Sequence, residues 1–388
     1  MLRTREGEVV MNVSVMQENL ARGLQTVSRA VSSRATLPVL ANVLLKTQDA
    51  GLKLTATNLE IGISSWVPGK VEGEGEITVP AKLITDLVAS LPNQRIDLEL
   101  SVKDRTLKLT CGGNRASIKG IEADEFPVVA AIGEAPTTAV ASRALREALT
   151  EVVFAAASDE SRPILTGVLT RFAAETVTLA AADNYRIAVR TLTVERPVGA
   201  ELTIVVPARS YAELIRILPD SDDPIEVTVT PNRSQVLFHV EGTDLVSRLI
   251  EGQFPNYEPV VPKRDAWTAR AVVDREAFLA GTRRASIFAR DSANIVKVEV
   301  AGDGSDGTGI AITAHAADVG DNADSLEAAV EGSPTTIAFN ARYLMDVLAN
   351  LGSDEAALEL SGPLAPGVIR GVGKDDYVHV IMPVRTAS

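Results

Sequence analysis

The stretch VVPARSYAELIRILP, residues 205–219, decides the fold, because the chain carries it three times. It occurs earlier as TVPAKLITDLVASLP, residues 78–92, and later as AFNARYLMDVLANLG, residues 338–352. Each copy reads as a strand running into a helix: an Ala, a base (Lys82, Arg209, Arg342), an acid four positions on (Asp86, Glu213, Asp346), and a closing Leu (Leu91, Leu218, Leu351). Pro80 and Pro207 suit the first helical turn, where a missing N–H costs nothing, and Asn340 is a capping residue. A base in the first turn opposes the helix dipole, and base-before-acid is the weaker i,i+4 order. Local helix stability therefore does not account for the three bases. A solvated face is one reading of them, and positive charge offered to something anionic is the other.

Further landmarks recur in the same register. Amphipathic helices carry Leu20, Leu24, Val27 and Val31, then Leu145, Leu149 and Val152, then Phe278, Ala285 and Phe288. Strands ending in small residues place Ala56, Ala181 and Ala314 at displacements of 125 and 133 residues. Phe126-Pro127, Phe254-Pro255 and Met382-Pro383, spaced by 128 and 128, read as the end of each unit. Between them lie alternating strand patterns, residues 96–102, 225–230 and 356–361. The expected fold is α+β, with two helices per unit packed on sheets. An N-terminal extension over residues 1–11 precedes units at 12–136, 137–264 and 265–388.

With 388 residues and 46% apolar content the chain can bury several cores. Its first ten residues have no apolar targeting core, and no apolar run reaches 18 residues, so no membrane span and a cytoplasmic location are expected. One cysteine, Cys111, excludes an intrachain disulfide framework and a Cys-based zinc site. No metal or other cofactor is expected. GDGSDGTG, residues 302–309, lacks the Lys-Ser/Thr of a phosphate loop and the spacing of a calcium loop, and reads as a turn between strands.

The net charge of −13 argues at first against nucleic acid. Counted by element, however, the six expected helices sum to +4, leaving −17 for the rest. An acidic body with a mildly basic helical layer suits loose phosphate contacts, which position a protein on DNA without reading bases.

The sequence resembles the bacterial DNA polymerase III β subunit, the sliding clamp, over residues 12–385. The resemblance rests on ATLPVLANVLL, TVPAK, VVPAR, AAADNYRIAV, LIEGQFPNYEPVVP and HVIMPVR. It implies three repeated clamp domains on antiparallel sheets and a homodimer ring with helices lining a hole. It implies a DNA sliding clamp that encircles duplex DNA without sequence specificity and tethers the replicative DNA polymerase, the clamp loader and repair proteins through short linear peptides. Packing arithmetic agrees with a dimer: six helices side by side leave a hole of about 9 Å, twelve leave about 28 Å, and a duplex needs roughly 20 Å.

Carried over by position, the resemblance implies a partner-peptide cleft lined by Leu165, Tyr185, Arg186, Ile187, Pro255, Val260, Asn340, Tyr343, Val380, Met382, Pro383, Val384 and Arg385. Met382 suits a pocket that accepts many partners. The sequence departs from the pattern at Tyr185, where a smaller His is often found, at Pro259, and at Pro163-Ile164, where some members carry a Tyr pair used on DNA. On the DNA side the implied residues are Arg34, Lys82, Arg209 and Arg342, with Arg283 and Arg284.

Two other readings compete. An enzyme is not expected, because His239, His315 and His379 fall in strand patterns, with no metalloprotease or nucleophile motif. An acidic repeat scaffold that binds peptides without encircling DNA would share the fold and differ only in ring closure.

Overall fold

The computed structural model describes residues 9–32, 37–48, 50–129, 135–263, 266–290, 292–301, 309–318 and 320–385. One element order, βαββββαβββ, runs through the chain three times, with one additional strand in the last copy. The first copy is β1 (Val9–Met16), α1 (Gln17–Val27), β2 (Asn42–Gln48), β3 (Gly51–Thr57), β4 (Ile61–Gly73), β5 (Glu76–Pro80), α2 (Ala81–Ser90), β6 (Arg95–Ser101), β7 (Thr106–Cys111) and β8 (Asn114–Lys119). The second is β9 (Thr138–Ala141), α3 (Ser142–Val152), β10 (Gly167–Ala173), β11 (Thr176–Ala182), β12 (Arg186–Thr193), β13 (Leu202–Pro207), α4 (Ala208–Ile217), β14 (Pro224–Val229), β15 (Gln235–Val240) and β16 (Thr243–Arg248). The third is β17 (Ala269–Asp274), α5 (Arg275–Ala289), β18 (Ile295–Val300), β19 (Ile310–Ala316), β20 (Gly320–Leu326), β21 (Ala328–Gly332), β22 (Thr335–Asn340), α6 (Ala341–Asn350), β23 (Glu355–Leu360), β24 (Gly367–Gly371) and β25 (Tyr377–Ile381).

The three short helices start where the repeated motif places them, at Ala81, Ala208 and Ala341. Pro80 stands one residue earlier than expected: it closes β5 and occupies the N-cap position, so it ends the strand rather than opening the helix. Asn340 does cap its helix, its Oδ1 accepting from Arg342 N–H at 2.9 Å. Leu20, Leu24 and Val27 of α1, and Leu145, Leu149 and Val152 of α3, are buried against the sheets, as helical spacing requires. In the first copy α1 packs beside α2, and in the third α5 packs beside α6.

The chain forms two compact units, one of residues 1–139, 216–219 and 224–249, the other of residues 140–215, 220–223 and 250–388. In the first unit an antiparallel sheet runs β8-β7-β6-β1-β4-β16-β15-β14, with β2, β3 and β5 branching from β4. The junction is β4 against β16, with Ile63 opposite Leu245, so strands of the second copy continue the sheet of the first. The second unit repeats the device in the order β13-β10-β11-β12-β25-β24-β23-β17-β21, joined where β12 meets β25. A four-stranded sheet, β20-β19-β18-β22, completes it. Strand β4 is long enough to serve both its neighbours; in the third copy its role is divided between β20, paired with β19, and β21, paired with β17.

One landmark is corrected. Met382 follows directly on β25, whereas Phe126 and Phe254 lie seven and six residues beyond β8 and β16. The equivalent strand ends are Lys119, Arg248 and Ile381, displaced by 129 and 133 residues, so Met382-Pro383 is not the counterpart of the two Phe-Pro pairs. The loop at 302–308 lies outside the described residues.

Candidate functional site

The groove that the resemblance implies would lie at the β12–β25 junction, over a buried hydrophobic cluster. Ile187 stands opposite Val380 and Ala188 opposite His379, so alternation gives this ladder two chemically different faces. On one face Ile187 and Val380 join Leu165, Ala182, Val205, Phe254 and Val368 in a buried cluster, with Ile164, Ile250 and Tyr257 packed against it. On the other, His379 is fully buried and stacks on Phe154, ring centroids 5.5 Å apart. Burial, and secondarily the Arg186 charge, push the His379 pKa down to about 3.

The turn before β12 shapes the rim. Asp183 Oδ1 accepts from the backbone N–H groups of Tyr185 and Arg186 at 2.7 and 3.0 Å, an Asx turn that aims the Tyr185 side chain outward. Arg186 is turned inward and every arm is used. Its Nε donates to Asp183 Oδ2 at 3.0 Å, Nη1 to Asp346 Oδ2 at 2.5 Å, and Nη2 to the Phe154 carbonyl at 2.8 Å. Its guanidinium also lies 4.6 Å from the centroid of the Tyr343 ring, which in turn stacks on Tyr185 at 6.1 Å. Burial, then the Asp183 carboxylate, raise the Tyr343 pKa. The chain after β25 is pinned by Met382 N–H on the Tyr185 carbonyl and Val384 N–H on the Ala338 carbonyl, both 2.8 Å, leaving the Met382 side chain exposed at the rim.

The thirteen expected lining residues therefore divide by role. Leu165, Ile187 and Val380 are floor. Tyr185, Pro255, Val260, Met382 and Arg385 are exposed, and Tyr343, Pro383 and Val384 half-buried. Arg186 is a strut and Asn340 a helix cap. Sequence reasoning missed the residues that hold the strut, Phe154, Asp183 and Asp346, and the floor residues Phe254 and Val368. The Asp-Asn pair before Tyr185 was a readable turn signal; the carbonyl of Phe154 had none.

Among the helical bases, Lys82, Arg209, Arg342 and Arg283 are exposed and free of ion pairs among the described residues. The acid four positions after Arg342 is Asp346, and Arg186 has taken it. Arg284 differs: it grips Asp324 with two bonds, 2.5 and 2.8 Å, so its charge is neutralised in place. Arg34 lies outside the described residues. Among the described residues no cluster of three His, Cys, Asp or Glu could hold a metal ion, and no helix is long and apolar enough to cross a membrane.

Three copies of one βαββββαβββ unit, joined edge to edge through their sheets, with bases at the helix starts, define a protein of the clamp class. Sequence models described as the N-terminal, central and C-terminal domains of the DNA polymerase III beta subunit match residues 11–130, 139–256 and 259–385. The chain belongs to that family. It is 32% identical to the beta sliding clamp of Synechococcus elongatus and 28% identical to that of Bacillus subtilis, in each case over 97% of this chain and 100% of the relative. Solved structures of the sliding clamp from Bacillus subtilis (27% identity, TM-score 0.90) and of the DNA polymerase III subunit beta from Pseudomonas aeruginosa (28%, 0.87) align with 97% of this chain and the whole of each.

Proposed function

We propose that the protein is a DNA sliding clamp, a non-catalytic processivity factor that closes as a homodimer around duplex DNA and tethers the replicative polymerase. The observation that carries this reading is the repeated edge-to-edge junction. In the first copy β4 receives β16 of the second, and in the second β12 receives β25 of the third. The equivalent edges left over are β20 in the third copy and β8 in the first, each at the end of its sheet. Joining β20 of one chain to β8 of another uses the same geometry a third time and closes the assembly by a two-fold.

Charge favours that join. Strand β8 carries exposed Arg115 and Lys119, and β20 carries exposed Asp321, with exposed Glu327 just beyond; Asp324 is already held by Arg284. Transferring the register of the two internal junctions puts Arg115 beside Asn322 or Ala323, next to Asp321. Lys82, Arg209 and Arg342, together with Arg34 and Arg283, are the bases that would face the duplex, enough for weak, sequence-blind phosphate contact. The groove at the β12–β25 junction would take short linear peptides from the polymerase, the clamp loader and repair proteins. Domain limits of 137–264 and 265–388 fit the repeated element order, whereas the first domain begins with β1 at Val9, inside the extension expected over 1–11.

Loading by a clamp loader onto nicked circular DNA tests encirclement. The protein is expected to stay on the circle and to run off once it is linearised, and a solution mass near 82 kDa, twice the chain's 41.1 kDa, is expected at micromolar concentration. Equal retention on circle and linear form, or a monomer mass, would leave the peptide scaffold as the better account.

A further inference from the structure

The first copy contains a counterpart of the groove. Val39, Leu40 and Phe126 form a small buried cluster with Leu44, Ile121 and Val129 packed against it. Displaced by 125 to 129 residues, these six fall on Ile164, Leu165, Phe254, Leu169, Ile250 and Tyr257, every one a member of the groove cluster. One inner position differs. Ile187 corresponds to Gly62, and the space its side chain would need is taken by Val129, whose Cγ1 would lie 2.7 Å from a Cβ at Gly62.

Beside this cluster is an open hollow of about 360 Å³, walled by Leu44, Phe126, Pro127 and Val128 and edged by Lys46 and Lys53. Its size matches the lower end of small-ligand sites, room for one or two side chains. Val128 is 96% exposed, an apolar side chain with nothing over it. Gln48, Thr55, Ser64 and Glu76 also line it, and two positions beside its cluster differ from those at the groove. There Arg162 donates to Asn184 at 3.0 Å, whereas the equivalent positions are Leu37 and Leu59, 49% and 43% exposed. The rim carries one base without an ion pair among the described residues, Lys53, held 4.5 Å over the Trp66 ring, while Lys46 is paired with Glu76 at 2.7 Å.

We propose that this hollow is a second peptide-docking site, taking a short extended segment with apolar side chains beside an acidic one. The apolar walls receive the side chains, and Lys53 selects the acid. The inference rests on reading the β12–β25 groove as the first such site. Being smaller and partly filled by Val129, the hollow binds its segment more weakly. It acts on partners that already hold the groove, where a second segment gains from effective concentration.

Fluorescence anisotropy with a fluorescein-labelled pentapeptide, Asp-Leu-Glu-Leu-Phe, on the full-length protein tests this. The rim variants Lys53→Glu/Val128→Glu and Val260→Glu/Met382→Glu alter exposed side chains and the half-buried Lys53, and thermal melting checks that each folds. Wild type is expected to show a tight and a weak phase, two peptides per chain. The Lys53/Val128 variant is expected to lose the weak phase, its affinity down by about tenfold or more, and the Val260/Met382 variant to keep it. A wild type that saturates at one peptide, or a weak phase indifferent to Lys53→Glu/Val128→Glu, overturns the proposal and leaves the groove reading standing. A tight phase indifferent to Val260→Glu/Met382→Glu, with the weak phase behaving as expected, removes the groove reading instead. The absence of any saturable binding removes both.

Discussion

Replacing Arg186 by Ala tests whether the groove depends on a strut beneath it rather than on its apolar lining alone. The side chain makes three charge-assisted hydrogen bonds and lies under Tyr343, with only 9% of its surface exposed. Its loss does not strand every partner. Asp183 keeps two backbone N–H donors on Oδ1, and the Asp346 side chain, 45% exposed, can be solvated. The Phe154 carbonyl is left without its donor, a penalty of about 1–3 kcal/mol, and the lost guanidinium–ring contact adds roughly 0.5–2 kcal/mol. Unfolding in urea should therefore show the second unit weakened by about 2–4 kcal/mol, well short of the stability of a typical domain. Tyr343 would lose its support, and with it the stack on Tyr185 that forms the groove wall. Peptide affinity measured by anisotropy is expected to fall roughly tenfold, the equivalent of about 1.4 kcal/mol. Arg186→Lys should recover little, because one ammonium cannot serve two carboxylates and a carbonyl in fork geometry. An Arg186→Ala protein that binds peptide within twofold of wild type would refute the strut argument, whatever its melting temperature.

His379, buried with its pKa pushed down to about 3, stays neutral in the folded state while the unfolded chain takes up a proton below about 6.5, so stability falls as pH drops through that window, by roughly 1.4 kcal/mol per unit; urea midpoints between pH 7 and 4 should show this slope, and His379→Phe should flatten it. Arg283→Ala should shorten residence on nicked circular DNA and reduce its salt dependence, while Arg284→Ala, whose charge Asp324 already neutralises, should change either by less than twofold.

What the sequence disclosed and what it hid separate along a physical line. The starts of α2, α4 and α6 were readable because a strand end, a small residue and an amphipathic helix are all local. The burial of Leu20, Leu24 and Val27 followed from periodicity for the same reason. Misreading Met382-Pro383 as the partner of the Phe-Pro pairs came from matching short strings without the strand between them, since Met382 follows β25 directly whereas the Phe residues lie seven and six positions beyond β8 and β16. Pairings between distant side chains left no trace. Asp324 sits 40 residues from Arg284, and Asp346 160 residues from Arg186, so Arg284 read as free and Arg186 as lining. The split of β4 into β20 and β21 was equally silent, because both pieces keep a strand-like pattern.

The junctions at β4–β16 and β12–β25 are made chiefly of main-chain hydrogen bonds, and a peptide group bonds the same way whatever side chain it carries. Coupling of this kind places almost no demand on residue identity. Each copy was thus free to drift toward its own task, with Ile187 in one and Gly62 in another at the same place, without loosening its hold on the next. Segments that now share few letters can still pair strand to strand, the first copy with the second and the second with the third.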